Sequence, residues 1–180
     1  MSNIQCKNLQ ADRGLGEYWE REFCKLAARQ GFSITPMQIG RTKSAQAYRQ
    51  EGSAWHHLTL PDITVWTCPG QHHEIKHKNP TQHGAFGLEK YRLDALLWFA
   101  NETKQDVLYT IHNHDLSGGR DKKENNIEHW LTAKITDLDG KHNFACMFTS
   151  YVNGEKKKVP GFYWDMKLWQ PLSEYWGIPA

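Results

Sequence analysis

Two short strings, Pro61-Asp62 and Glu74-Ile75-Lys76, carry the residue types that hydrolysis of a phosphodiester requires. Near neutral pH that reaction needs a nucleophilic water, neutralised charge on the scissile phosphate and a stabilised leaving oxygen, and divalent metals contribute to all three. Mg²⁺ takes a few carboxylates together with waters and substrate phosphate, so acidic groups converging from different elements are the expected protein contribution. Side chains alternate across a strand, which sends Glu74 and Lys76 to one face and Ile75 to the other. Ile75 can then pack into a core while Glu74 holds metal. Lys76 can orient the attacking water or meet charge at the phosphate.

A hairpin would bring the two strings together. Thr67-Cys68-Pro69-Gly70 has turn composition. A three-residue loop at 67–69 pairs Trp66 with Gly70 and sets Asp62 opposite Glu74. A four-residue loop shifts the pairing by one position, which a bulge near Pro69-Gly70 corrects.

Other elements must hold this hairpin. In residues 16–30, Trp19, Phe23, Leu26 and Ala27 recur at helical spacing, and Gly31 is placed to end the run. Glu20 lies beside that apolar stripe, whereas Glu17, Arg21 and Lys25 mark the charged side. Residues 32–39 read as a short strand and 40–53 as a basic loop or a loop with a helical turn; 57–67 and 71–78 read as the two hairpin strands. The clearest helix spans 86–102. Residues 107–111 follow as a buried strand ending in His112-Asn113-His114-Asp115. Helical spacing returns over 126–138, and Asn153-Gly154 signals a tight hairpin between 144–152 and 157–164.

Asp62 after Pro61 and Glu74-Ile75-Lys76 across a hairpin resemble the signature of the PD-(D/E)XK nuclease superfamily, which includes restriction endonucleases and archaeal Holliday-junction resolvases. The resemblance implies an α/β fold with a restriction-endonuclease-like αβββαβ core around a mixed central sheet. That core would cover about residues 16–114, with 115–180 a C-terminal extension of helix plus β-hairpin, all in a single nuclease domain 1–180. It implies a Mg²⁺-dependent deoxyribonuclease, with Mn²⁺ as a substitute, of bacterial, phage or prophage origin. Asp62, Glu74 and Glu20 would be its acidic ligands, the Ile75 carbonyl a further ligand and Lys76 the catalytic lysine. Glu17 is the second choice for the helical acid. Many relatives act as dimers, so a homodimer is the matching expectation.

DNA as partner also directs attention to the cations and donors around these strings. Arg41 and Lys43 in the basic tract, His77 and Lys78 beyond the hairpin, and Lys90 at the start of the long helix are the candidate phosphate contacts. Among the ten histidines, His112 and His114 would share a strand face and could ligate Zn²⁺ or another transition metal. The aromatic tail with Trp164, Trp169, Tyr175 and Trp176 could stack on bases, but large aromatics more commonly pack into a core.

Composition bounds the alternatives. Hydrophobic residues make up 39% of the 180-residue chain and there are eight Trp, which excludes a disordered polypeptide. No run approaches the roughly 18 apolar residues of a membrane span and no signal-peptide layout opens the chain, so the expectation is a cytoplasmic protein. Cys6, Cys24, Cys68 and Cys146 are scattered without a CxxC pair and read as free thiols. A P-loop and a GxSxG elbow are absent. A net charge of +2 permits a polyanionic partner without demanding one. Two competing functions stand beside the nuclease: a non-catalytic DNA-binding protein of the same fold, and a histidine-ligated metal hydrolase.

Overall fold

The structure is a computed structural model that describes residues 2–37, 47–51, 54–58, 60–118, 124–152 and 155–179. The first helix, α1 (Ser2–Arg29), ends in a Schellman turn. Gly31 adopts φ +85°, its N–H donates to the Ala28 carbonyl at 3.0 Å, and the Phe32 N–H donates to Ala27 at 3.1 Å. A side chain at Gly31 would resist that left-handed backbone, so the expected glycine stop is met. Trp19, Phe23, Leu26 and Ala27 are all buried, each large one contributing roughly 1.5–3 kcal/mol to folding.

A mixed six-stranded sheet lies beneath α1, in the order β1 (Ser33–Pro36), β4 (Ile63–Trp66), β5 (Gln71–Lys78), β7 (Asp106–Asn113), β8 (Trp130–Lys134) and β11 (Gln170–Pro171). Only β5 and β7 run parallel; the remaining neighbours are antiparallel. The parallel step is made by α2 (Lys90–Thr103), which crosses the opposite face. Together α1, β1, β4, β5, α2 and β7 form the αβββαβ arrangement, with a separate hairpin of β2 (Ala47–Glu51) and β3 (Ala54–Leu58) inserted before β4. Ile63, Val65, Ile75 and Trp130 pack against α1. Val107, Tyr109, Ile111 and Ala133 pack on the other side with Leu93, Leu96 and Ala100 of α2.

A second sheet of β6 (Ala85–Glu89), β10 (Glu155–Asp165) and β9 (Phe144–Val152) closes that side. The β9–β10 hairpin has the expected register, with Glu155 opposite Val152. Its centre depends on close approach: a Cβ on Gly161 would enter the Phe148 ring and stand 2.8 Å from the Leu88 carbonyl oxygen. Gly161→Ala is therefore expected to cost about 1–3 kcal/mol through overpacking. The result would appear as a lower urea midpoint at an unchanged m-value.

Five expectations change, the first being that α1, expected over 16–30, runs back to Ser2. The long helix begins at Lys90, because Ala85–Glu89 pairs with β10 and Gly87, which lies against the Phe148 and Tyr163 rings, is a poor helix residue. The helical spacing over 126–138 resolves into a 3₁₀ turn at Ile127–His129, then β8, then a single helical turn α3 (Ile135–Leu138). In β8 pairing with β7 overrides the periodicity: Trp130 lies opposite His112, and the Thr110 and Thr132 hydroxyls hydrogen-bond at 2.9 Å. Residues 47–51, expected within a basic loop, are a strand. The strand expected over 57–67 is divided between β3 and β4 around Pro61, which has no N–H to give to a ladder.

The C-terminal aromatics pack rather than protrude. Trp164 and Trp169 are buried, and the last helical turn, α4 (Leu172–Tyr175), ties Tyr175 to Asp106 at 2.8 Å. Trp176 donates to Gln71 at 3.1 Å. Cys24, Cys68 and Cys146 are free thiols. Among the described residues, no helix is long and apolar enough to cross a membrane.

Candidate active site

Asp62 stands at the entry to β4 with its backbone fixed on both sides. Its N–H donates to the His73 carbonyl at 2.9 Å, and its carbonyl accepts from Met37 N–H at 2.8 Å. Across the hairpin Ile63 faces His73, Thr64 faces His72 and Val65 faces Gln71, a register that one step further sets Asp62 opposite Glu74. The Asp62 Oδ2 then accepts the Ile75 N–H at 2.7 Å. Alternation along β5 does what the sequence requires of it: Ile75 is buried against α1, and Glu74 and Lys76 leave the opposite face together.

Glu74 has 0% exposure, and Asp62 only 7%. Two carboxylates so placed need compensating cations. Lys76 supplies one: its ammonium bonds the Glu74 Oε1, donates to the Ile75 carbonyl at 2.9 Å and lies 3.8 Å from Asp62 Oδ2. Arg92 of α2 supplies the other, its Nη1 bonding the same Glu74 oxygen. Burial drives the Glu74 carboxyl upward, but Arg92 and Lys76 overcome it and hold it below the usual carboxylate range. Asp62 fares differently: burial and the neighbouring Glu74 charge push it up to about 7. Glu74 is therefore the firmly ionised member, and its Oε2 is buried without a hydrogen-bond partner.

Lys76 also lines a cavity of about 590 Å³, whose other walls are Leu15, Gly16, Trp19 and Glu20 of α1 with Ile75, residues 77–79 and His114 of the sheet. Glu20 thus shares the cavity with Lys76, and its charge is felt at Asp62. His77 and Lys78 line the same cavity. His77 is held within a ring stack, its Nδ1 lying 3.0 Å from His112 Nδ1, so one imidazole donates to the other. His112 stacks on Trp19 at 3.6 Å between centroids, and burial lowers its pKa to about 3, which keeps it neutral. Lys78 reaches inward and donates to the Gly87 carbonyl at 2.6 Å; burial lowers its pKa to about 8.

The remaining expected residues lie elsewhere. Lys90 is exposed and pairs with Asp94 at 2.5 Å along the outer side of α2, away from the acidic group. Arg41 and Lys43 fall outside the described residues. Among the described residues, no group of three or more His, Cys, Asp or Glu side chains is placed to hold a metal.

Arg92 is the residue the sequence reading passed over in favour of Lys90. A signal was present, since Arg92 precedes Leu96 by four residues and so lies on the core-facing side of α2. A charge on an apolar stripe requires a buried partner.

No protein-family model matches this chain, and no curated protein matches it either. Solved structures do match in shape. One is a Holliday junction resolvase, Hjc, from the archaeal hyperthermophile Archaeoglobus fulgidus, aligned over 92% of this chain and 98% of its own with a TM-score of 0.52 and 14% identity. The chain has a restriction-endonuclease-like fold. In that restriction-endonuclease-like fold, the acidic group occupies the hairpin β4–β5 at the point where α1 and α2 both reach the sheet.

Proposed function

We propose that this protein is a divalent-metal-dependent nuclease that hydrolyses DNA phosphodiester bonds, acting as one domain in which β8 and β11 extend the sheet of the core and β9 and β10 build a second one. The observation that carries the reading is the pair Asp62 and Glu74, desolvated on adjacent strands and bridged by Lys76, which itself lines a cavity. The likeness in fold to a Holliday junction resolvase supports it.

The residues present fit Mg²⁺ or Mn²⁺. Mg²⁺ asks one or two carboxylates of a protein and keeps several waters, and the unpartnered Glu74 Oε2 is a buried oxygen in want of a cation. Asp62, Glu74 and the Ile75 carbonyl would hold the ion; Glu20 lies on the cavity wall and does not close a three-acid cluster with them. Bound there, it would lower the pKa of a coordinated water and polarise the scissile phosphate. The chain's own groups do the rest. Lys76 keeps two adjacent carboxylates electrostatically tolerable and stands at the cavity edge, where its ammonium can meet a phosphate oxygen or orient water. Arg92 anchors Glu74 through Oε1, leaving Oε2 without a hydrogen-bond partner. His77 lines the approach to the scissile bond, and Lys78 stands on the same wall with its ammonium held inward by the Gly87 carbonyl.

The test is cleavage of plasmid and linear DNA with Mg²⁺ by the native chain and by Lys76→Met and Glu74→Gln. Glu74→Gln keeps an acceptor for Lys76 and Arg92, so it should fold, and Lys76→Met should lower the rate at least about 100-fold. Full activity in both variants would overturn the assignment. DNA that is bound in a salt-dependent way but never cut by the native chain would identify a binding protein of this fold instead.

A further inference from the structure

We propose that the cavity beside the acidic group is a subsite for one unpaired DNA nucleotide, so that the substrate is a single strand or a duplex with an unpaired position next to the scissile bond, rather than continuous duplex. The proposal rests on the nuclease reading above and deepens it by naming the substrate class.

Its volume, about 590 Å³, falls in the range of about 300–1,000 Å³ typical of sites that enclose a small organic group. Its walls suit a base better than a sugar-phosphate strand. Leu15, Trp19, His77 and His114 offer apolar and aromatic surface, and Asn79 offers an amide able to donate and accept. The rings are already organised: His77 stacks on Trp19 at 4.7 Å between centroids, and His114 lies tilted against it at 3.5 Å. Stacking on such platforms accepts any base and is worth roughly 1–3 kcal/mol per base.

A second observation points to a ligand. Trp19 is 1% exposed, lines the cavity, and its indole N–H is buried without a hydrogen-bond partner. An indole donor is normally satisfied when buried. A base carbonyl or ring nitrogen entering the cavity would supply an acceptor. Of the two lysines on the wall, Lys78 turns its ammonium to the Gly87 carbonyl, which leaves Lys76, ion-paired to Asp62 and Glu74, to meet a phosphate. A nucleotide with its phosphate at Lys76 would therefore have its base among the rings. A base within an intact duplex is stacked and paired and cannot enter, whereas an unpaired one has little or nothing to lose.

Gly16 provides the test. It lies within α1 on the cavity wall, and a Cβ there would meet nothing within 4 Å. Gly16→Phe fills the cavity while replacing glycine by a better helix former, so the variant should fold at least as well as the native chain. Binding is measured without metal, in EDTA, using oligonucleotides of equal length that carry 2-aminopurine at a paired position, at a single-nucleotide bulge, or in a single strand. Native protein should bind the bulged duplex and the single strand at least 10-fold more tightly than the paired duplex, with quenching of the 2-aminopurine. Gly16→Phe should lose that preference.

Equal affinity for all three probes, or an unchanged preference in Gly16→Phe, would overturn the proposal. Because this readout needs no cleavage, it is separable from the nuclease assignment. A protein that cuts continuous duplex without preference would keep its nuclease function and lose this subsite.

Discussion

Asp62→Asn is expected to leave no measurable DNA cleavage and, in the same variant, to raise stability at pH 7.5. The carboxyl is 7% exposed and is pushed by burial and by Glu74 from its ordinary 3.8 up to about 7. A folded-state pKa raised above the unfolded one makes a contribution that is fully present below about pH 4. It declines as pH rises and is gone above about pH 7. The upward shift is therefore a loss of stability across that window. Asparagine keeps an oxygen for the Ile75 N–H, which now donates to Asp62 at 2.7 Å, and has no charge to desolvate. Urea unfolding should therefore give coincident curves for native and variant near pH 4 and a stabler variant at pH 7.5. Added Mg²⁺ should narrow the gap by stabilising only the native chain, since an ion that binds only the folded state stabilises it. A variant less stable than the native chain at pH 7.5 would show that Asp62 is not a strained acid held for function.

That strain was legible in the sequence only in outline. Period-two alternation along 74–76 and the composition of the 67–70 turn were enough to bring Asp62 opposite Glu74, because hairpin register is local and one face of β5 must be buried. The glycine stop of α1 and the Asn153-Gly154 hairpin are likewise local chemistry. What escaped was decided by distant pairing. Residues 130–134 satisfy helical and strand patterns equally over so short a stretch, and the vacant edge of β7 decides for the strand. Residues 85–89 look like the start of a helix until β10 claims them, and that shift of the helix start accompanies the exchange of Lys90 for Arg92 at the site. The cavity could not be foreseen at all, since it forms between a helix and strand ends separated by tens of residues. Sequence spacing thus brought the candidate residues together within one hairpin, and tertiary pairing selected their electrostatic support.

Arg92 is where that support can be measured. Glu74 is wholly buried, and its charge is balanced by two cations on one oxygen, Arg92 from α2 and Lys76 from its own strand. Taking away one partner of a buried ion pair typically costs about 3–5 kcal/mol, because the remaining charge loses its compensation while still out of water. Lys76 remains in Arg92→Met, so the expected loss is about 3 kcal/mol, at the lower end of that range. Adding Glu74→Gln should recover most of it: the neutral amide still accepts from Lys76 and no longer needs the guanidinium. The comparison separates charge compensation from packing, since the lost contacts of the arginine stem are the same in both backgrounds. Urea midpoints for the native chain, both single variants and the double variant supply the cycle. Additive losses would mean that Arg92 merely fills space beneath β5, whereas a favourable coupling of 1 kcal/mol or more, on the order expected for groups in contact, would establish it as the counter-charge that lets a buried glutamate stay ionised at the site.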